Sequence, residues 1–244
     1  MTDIVLSELT RIWKAYPMFY VAFAAFLVAW KTLLANAKAT KIKNSIDFES
    51  SYKHKDSIKK SSDKVLELIT SHENTDELNQ KLFEISIKQD RTLADSDYIH
   101  INDFLNEWER CANGVYYGVY DEKFLYGTYA GTLTTAFMKL LPFILMRQGG
   151  TRERVYIKTE WLALKWIINQ HKEKGLVLDT NLEKSYRLLC SHHKAIYGHP
   201  IKRTITKYYR TAIRADSPSE ELHQCRKLMI TYLVKKNSYS TSPE

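Results

Sequence analysis

Pro17-Met-Phe-Tyr-Val-Ala-Phe-Ala-Ala-Phe-Leu-Val-Ala-Trp30 carries no charged residue and is apolar on every face of a helix. All-round apolarity indicates contact with lipid or deep burial. Extended to Ala35, with Lys31 reaching the headgroups through its aliphatic stem, the segment has the roughly 20 residues that a bilayer requires. Tyr16 and Tyr20 lie near its start, where amphipathic rings favour the membrane interface. The stretch therefore predicts an N-terminal transmembrane helix.

Two other interpretations compete with a membrane span. Arg11 and Lys14, the apolar run and Ala35-Asn36-Ala37 resemble the charged start, apolar core and small-residue cleavage site of a signal peptide. Lys31 argues against cleavage, because it lies between the apolar core and that site. The second interpretation is a buried core helix or a helix lying in the membrane interface.

Charges on either side of the apolar run predict its orientation. Positive charges follow the run before any acid is met, at Lys31, Lys38, Lys41 and Lys43. The first 16 residues offer only two basic residues, opposed by two acids. The positive-inside rule then places the C-terminal part in the cytoplasm, as a single-pass protein of the cell inner membrane. Three widely spaced cysteines, an odd number, agree with a reducing compartment.

Composition favours an all-α fold. Hydrophobic residues make up 44% of the chain and charged residues 26%, as in globular proteins. With only 8 Gly and 5 Pro, the turn residues that an all-β chain needs are scarce. We expect a transmembrane helix followed by a cytoplasmic helical bundle. The predicted segments are the anchor at 1–37, the bundle at 38–174, a basic helical extension at 175–236 and a disordered tail at 237–244.

Helical periodicity locates the main elements of the bundle. A basic juxtamembrane helix is expected to about Lys60, and a second helix from Ser62. Asp95 or Ser96 is a suitable N-cap for a helix whose apolar stripe includes Ile101, Phe104, Leu105, Trp108 and Cys111. Asp121-Glu122 begins the longest soluble helix, which extends to about Arg147. Its apolar end contains Lys139 and Pro142 and is too short to span a bilayer, so it predicts core with a proline kink.

Several spaced motifs follow the apolar run. They are Ile46-Asp47-Phe48, Ile101-Asn-Asp-Phe-Leu-Asn-Glu-Trp-Glu109, Ala112-Asn-Gly114, Gly118-Val-Tyr-Asp-Glu122, Leu141-Pro-Phe-Ile144 and Arg147. In this order they resemble an uncharacterised bacterial family of membrane-anchored helical proteins, a domain of unknown function. The resemblance covers roughly residues 15–168. It implies a helical bundle tethered to the inner membrane, it implies no activity, and it does not extend to residues 169–244.

Two groups of residues have side chains suited to metal binding or acid/base chemistry. Glu107, Glu109, Asp121 and Glu122 flank one predicted turn, but Glu107 and Glu109 are two apart and lie on different sides of a helix. Helix capping and a solvated face explain these carboxylates better than a site does. Zinc ligand types recur at Cys190, His192, His193, His199, His223 and Cys225, but their spacing fits no closed zinc template. We therefore predict no metal and no cofactor.

The most basic part of the chain is residues 147–214, with 15 Lys/Arg against 5 Asp/Glu. Positive charge and aromatic rings interleave near its end, at Lys202, Arg203, Lys207, Tyr208, Tyr209, Arg210 and Arg214. Such a surface could contact phosphate groups of anionic lipid or nucleic acid. It could also contact the acidic middle of the chain, residues 65–146, or be simply solvated.

Three function classes remain. The first is a membrane-tethered, non-enzymatic interaction or regulatory module, which contacts membrane lipid and either a protein partner or a second copy of itself. The second is a membrane-localised nucleic-acid-binding protein, for which defence against foreign DNA is one role to consider. An enzyme ranks third, because the chain contains no phosphate-binding loop, dinucleotide fingerprint or nucleophile elbow.

Overall fold

The computed structural model describes residues 17–72, 75–89, 96–148, 154–197, 224 and 226–231. Within these residues every regular element is a helix, which confirms the all-α prediction. The elements are α1 (Pro17–His54), α2 (Asp56–Ser71), α3 (Thr75–Lys88), α4 (Asp97–Tyr116), α5 (Glu122–Arg147), α6 (Ile157–Glu173) and α7 (Thr180–Tyr197). Residues 226–231 are also helical.

Two predicted helix starts are confirmed in atomic detail. The Ser96 hydroxyl accepts a hydrogen bond from the Ile99 amide at 3.4 Å, and the Asp121 carboxylate accepts one from the Phe124 amide at 2.9 Å. Each bond satisfies an amide that has no partner within its own helix. Asp97 and Glu122 add negative charge to the first turns, where the helix dipole favours it.

The boundary between α1 and α2 differs from the prediction. The sequence placed it between about Lys60 and Ser62, whereas α1 ends at His54 and α2 begins at Asp56. Lys55 is the single extended residue between them. It turns the chain so that α2 packs against α1, and the Tyr52 hydroxyl hydrogen-bonds the Ser62 hydroxyl at 2.8 Å. The turn was not predicted because residues 53–60 are mainly basic and contain neither Gly nor Pro.

Trp108 of α4 lies at the centre of the core and is completely buried. Five aromatic rings surround its indole with centroid distances of 5.5 to 6.4 Å, and they belong to Phe48, Tyr52, Phe104, Tyr129 and Trp166. Since these rings come from α1, α4, α5 and α6, one cluster joins four helices. The prediction that the Trp108 stripe is core is confirmed.

Among the described residues, two helices are long and apolar enough to cross a membrane by length and composition, and they differ in burial. In α5 the apolar stretch is 56% buried, whereas in α1 none of it is. The prediction that α5 is a core helix therefore holds, and the helix continues past Pro142 to Arg147.

The chain beyond α6 packs onto the same core. Helix α7 contacts α6, and Leu182 and Leu189 are fully buried in the main apolar cluster. Met229, from the helical residues 226–231, is 2% exposed and belongs to that cluster as well. Helix α7 and residues 226–231 are thus attached to the bundle by apolar side chains.

Candidate functional site

Helix α1 is divided into two halves of different character. Every residue from Val21 to Lys41 is exposed. Farther along, Ser45, Phe48 and Tyr52 are buried, at the i, i+3, i+7 spacing of one helical face. The first half therefore projects from the bundle, and the second half is built into it.

The second half of α1 is attached to the α4–α5 turn, which comprises residues 117–121. The Ser45 hydroxyl accepts a hydrogen bond from the Asp121 amide at 2.8 Å, and the Asn44 side chain donates one to the Val119 carbonyl at 3.2 Å. The rings of Phe48 and Tyr120 lie 5.6 Å apart. Two hydrogen bonds between α1 side chains and the backbone of the turn, together with a tilted ring contact, thus fix this turn against α1.

Gly114 allows the α4–α5 turn to close. A Cβ atom at this position would lie 2.2 Å from two carbons of the Tyr120 ring, so the ring occupies the space that any side chain would need. The Gly114 carbonyl also accepts hydrogen bonds from the amides of Val119 and Tyr120, at 2.8 and 3.2 Å. The Ala112-Asn-Gly114 and Gly118-Val-Tyr-Asp-Glu122 motifs therefore meet in one turn.

A second polar centre lies at the start of α6. Tyr156 precedes this helix with the left-handed backbone angle φ 61° and makes no side-chain cap. Glu109 of α4 supplies the cap instead, because its carboxylate accepts hydrogen bonds from the Lys158 amide at 3.2 Å and from the Thr159 amide and hydroxyl at 2.8 Å each. Burial raises the pKa of Glu109, and these hydrogen bonds oppose the rise.

Other motif residues converge on Tyr156. Its hydroxyl donates a hydrogen bond to the Asn102 side chain at 2.8 Å, and the Asn102 amide donates to the Tyr98 carbonyl at 2.6 Å. The Arg147 guanidinium lies 5.5 Å from the centre of the Tyr98 ring. Residues from α4 and the end of α5 thus hold Tyr156 in its left-handed conformation, which carries steric strain for a non-glycine residue.

These motifs coincide with a match to a known family. The model of domain of unknown function DUF4760 matches residues 19–166, more than half of the chain. The chain belongs to the DUF4760 family. This confirms the predicted resemblance to a domain of unknown function, whose predicted extent was residues 15–168. No curated protein and no solved structure matches the chain.

Among the acids of the DUF4760 region that the structure describes, Glu160 is the most buried, with none of its surface exposed. Its carboxylate oxygens make no hydrogen bond of good geometry within the described residues, and the polar side chains that face them are those of Gln148 and Arg226. The nearest cation is Arg226, whose Nε lies 3.6 Å from Oε1. Burial raises the pKa of Glu160 to about 7, while Arg226 and Gln148 lower it and Glu109 raises it further.

Lys158, two residues earlier, is 2% exposed. Its ammonium group lies 3.2 Å from the centre of the Tyr116 ring and 5.6 Å from that of Tyr117. Such contacts between a cation and aromatic faces stabilise a desolvated charge. The start of α6 thus places Lys158 and Glu160 in the interior, with Glu109 close to both.

The four carboxylates flanking the α4–α5 turn do not form one site. Glu107 pairs with Arg110, while Glu109 caps α6 and Asp121 caps α5. Glu122 contacts Lys165 at 2.5 Å and accepts a hydrogen bond from the Trp166 indole at 3.3 Å. Across the described part of the chain, no three His, Cys, Asp or Glu side chains group closely enough to hold a metal ion.

The predicted phosphate- or lipid-contacting residues lie outside the described residues. They are Lys202, Arg203, Lys207, Arg210 and Arg214. The same is true of His199, His223 and Cys225 from the zinc hypothesis, and of the side chains of His192 and His193. Cys190 is partly buried and packs against the core. These hypotheses stay predictions.

Sequence reasoning missed the polar residues buried around α6. Lys158 and Glu160 directly precede the apolar stretch that begins at Trp161, and charged residues next to a core stripe were a usable signal. Gln148 and Arg226 gave no such signal. Their role depends on contacts between residues far apart in the DUF4760 region and the C-terminal extension.

Proposed function

We propose that the protein is a membrane-tethered helical interaction module. Its α1 helix crosses the membrane once and holds the bundle at the cytoplasmic face. The observation that carries the proposal is the continuity of α1. An apolar half with no buried residue is followed directly by a half whose buried face packs in the core. A tether of this kind positions a surface next to the membrane for a partner.

Lipid is the solvent that suits the first half of α1. Its large apolar side chains from Val21 to Leu34 are 42% to 66% exposed, among them Val21 at 66%, Phe26 at 58% and Val28 at 65%. They point to all sides of the helix, so no single protein face would cover them. Soluble monomers rarely expose contiguous apolar patches larger than a few hundred Å².

The helix runs without a break through Ala35-Asn36-Ala37, the tripeptide that resembles a cleavage site. At 1.5 Å per residue, the 38 residues of α1 extend about 57 Å, and roughly 30 Å of this suffices for the hydrocarbon core. The remaining length reaches Ser45 and Phe48 in the bundle. A continuous helix supports a fixed geometry between membrane and bundle.

Charge supports the cytoplasmic side. Lys31, Lys38, Lys41 and Lys43 follow the apolar run, and the last three lie between it and the buried half of α1. Basic residues beside a span are retained on the cytoplasmic side and favour an anionic leaflet.

An interaction module accounts for the polar residues of the family motifs better than an enzyme does. Glu109 and Asp121 cap helices, Asn102 holds Tyr156, and Gly114 makes room for Tyr120. These roles support a precisely shaped scaffold, and they leave these side chains bonded to the protein itself.

The experiment is extraction of membranes with alkaline carbonate. We expect the intact chain to remain in the membrane pellet. Phe23→Arg combined with Leu27→Arg should shift it to the soluble fraction, because each charge at the middle of a span costs about 2.5–3.5 kcal/mol. The matched control is Leu176→Arg with Val177→Arg, two exposed apolar residues after α6, and it should stay in the pellet.

Two results would contradict the membrane span. Recovery of the unmodified chain in the carbonate wash would exclude a spanning helix. N-terminal sequencing that gives a mature start at Lys38 would show a cleaved signal peptide.

Protease tests the orientation of the bundle. Protease added to inside-out vesicles should degrade the bundle, whereas right-side-out vesicles should protect it. The reverse pattern would overturn the orientation alone.

A further inference from the structure

The contact between Glu160 and Arg226 joins a residue inside the family match to a residue outside it. Glu160 belongs to the DUF4760 region, whereas Arg226 lies 60 residues beyond residue 166, where the family match ends. A completely buried carboxylate of the family region thus has its counterion on a segment outside that region.

We propose that the DUF4760 region contains a binding site for a guanidinium group, with Glu160 as its acceptor. In this protein the site is filled by Arg226 of the C-terminal segment, residues 226–231. The inference goes beyond the proposed function and does not depend on it, because it concerns the inner face of α6 and not the tether.

The chemistry around Glu160 selects a guanidinium. An isolated carboxylate is very unfavourable in the interior unless it is paired. Arginine is the cation best suited to pairing there, since it stays charged at all relevant pH values and offers several donors in one plane. The Arg226 side chain is 12% exposed while Glu160 is fully buried, so Arg226 reaches from the surface to the carboxylate.

The segment that carries Arg226 has a second anchor. Met229 is three residues away on the same helical face and is 2% exposed within the apolar core cluster. Lys227, Ile230 and Thr231 are exposed. The ligand is therefore a short helix with one arginine for Glu160 and one apolar side chain for the adjacent core.

Protonation of Glu160 should control this contact. The charged or polar groups that face it are Arg226, Gln148 and Glu109, and burial raises its pKa to about 7. Because the folded-state pKa lies above the usual value of 4.5, ionising Glu160 costs stability as pH rises from about 4.5 through 7. Arg226 opposes that loss, so its contribution exists above about pH 7 and vanishes well below it.

The test uses the full chain in nonionic detergent and measures the melting temperature. Arg226→Ala should lower it at about pH 8.5 and have a much smaller effect at about pH 5.5. In a Glu160→Gln background the same change should have equal, small effects at both values. The difference between the effects of Arg226→Ala in the two backgrounds isolates the Glu160–Arg226 interaction from the other groups that titrate in this range.

Methylguanidinium at millimolar concentration is the direct probe of the site. It should raise the melting temperature of Arg226→Ala at about pH 8.5 by filling the space left by the side chain, since a ligand bound only to the folded state stabilises it. Methylammonium at equal concentration is the matched cation without the planar fork and should rescue less. Neither should rescue Arg226→Ala in the Glu160→Gln background.

Arg226→Lys keeps a positive charge and provides a conservative variant to measure if Arg226→Ala does not fold. Retention of the pH pattern with a partial loss of melting temperature would support the site. The proposal is overturned if Arg226→Ala has the same effect at both pH values, or if methylguanidinium stabilises both backgrounds equally.

Discussion

The two halves of α1 show how one continuous helix meets two environments. From Val21 to Lys41 all residues are exposed, and apolar side chains point in every direction. From Asn44 to Tyr52 the buried residues lie along a single face, and polar side chains beside them bond to the α4–α5 turn. The helical backbone is the same in both halves, whereas the composition and the distribution of apolar residues differ.

This difference predicts unequal tolerance to substitution. A helix in lipid needs apolar side chains but no particular partner for each of them. A helix in a close-packed core loses both transfer free energy and packing when a side chain is shortened. The first half of α1 should therefore accept conservative changes that the second half does not.

The largest effect is expected at Phe48. It is 3% exposed and contacts the rings of Tyr52, Trp108 and Tyr120. Phe48→Ala should reduce the free energy of unfolding of the bundle by about 3–5 kcal/mol, because a core cavity replaces an aromatic ring. Chemical denaturation in nonionic detergent, followed by tryptophan fluorescence, measures the change.

Phe26→Ala is the matched control in the first half, since Phe26 is 58% exposed. It should change the same free energy by no more than about 0.5 kcal/mol. Equal losses for Phe26 and Phe48 would mean that the first half of α1 also packs against protein, and the comparison between the halves would fail.

A smaller effect is expected at Gly114, where the turn that receives α1 closes. Gly114→Ala adds a Cβ that would overlap the Tyr120 ring, and Tyr120 is held by Phe48. We expect a loss of about 1–3 kcal/mol in the free energy of unfolding from overpacking.

Gly127→Ala serves as its control, because nothing lies within 4 Å of a Cβ at Gly127 in α5. This change should stabilise the chain by about 0.5–1 kcal/mol through helix propensity alone. Stabilisation by both substitutions would show that Tyr120 moves away freely, and the turn would not fix the second half of α1.

Local signals were sufficient for much of this fold. The caps Ser96 and Asp121 were visible as polar residues before periodic apolar runs, and the buried stripe around Trp108 followed from its spacing. That Glu107 and Glu109 have different partners followed from their position two residues apart, on different sides of a helix. In each case the cause lies within a few residues of the effect.

Contacts between residues far apart in the chain could not be predicted from the sequence. Glu109 caps a helix that begins 48 residues later, at Ile157, and Arg226 meets Glu160 across 66 residues. The break at Lys55 depends on the packing of Tyr52 against Ser62 after the turn. Only the tertiary structure brings such partners together, so neither charge counts nor periodicity could identify them.

The smallest effect is expected at Ser45, the polar contact between α1 and the α4–α5 turn. Its hydroxyl accepts from the Asp121 amide at 2.8 Å and donates to the Lys41 carbonyl at 2.9 Å. Ser45→Ala removes the acceptor and leaves that amide without its partner, which should cost about 1 kcal/mol. Ala also favours the helix by a few tenths of a kcal/mol, so the cost must be measured against a control with the same chemistry. Ser50→Ala provides it, since Ser50 is exposed on the same half of α1. Ser45→Ala should therefore be less stable than Ser50→Ala by about 1 kcal/mol in chemical denaturation. If the two variants are equally stable, then apolar packing at Phe48 and Tyr52 alone holds the second half of α1, and the polar contacts only select its register.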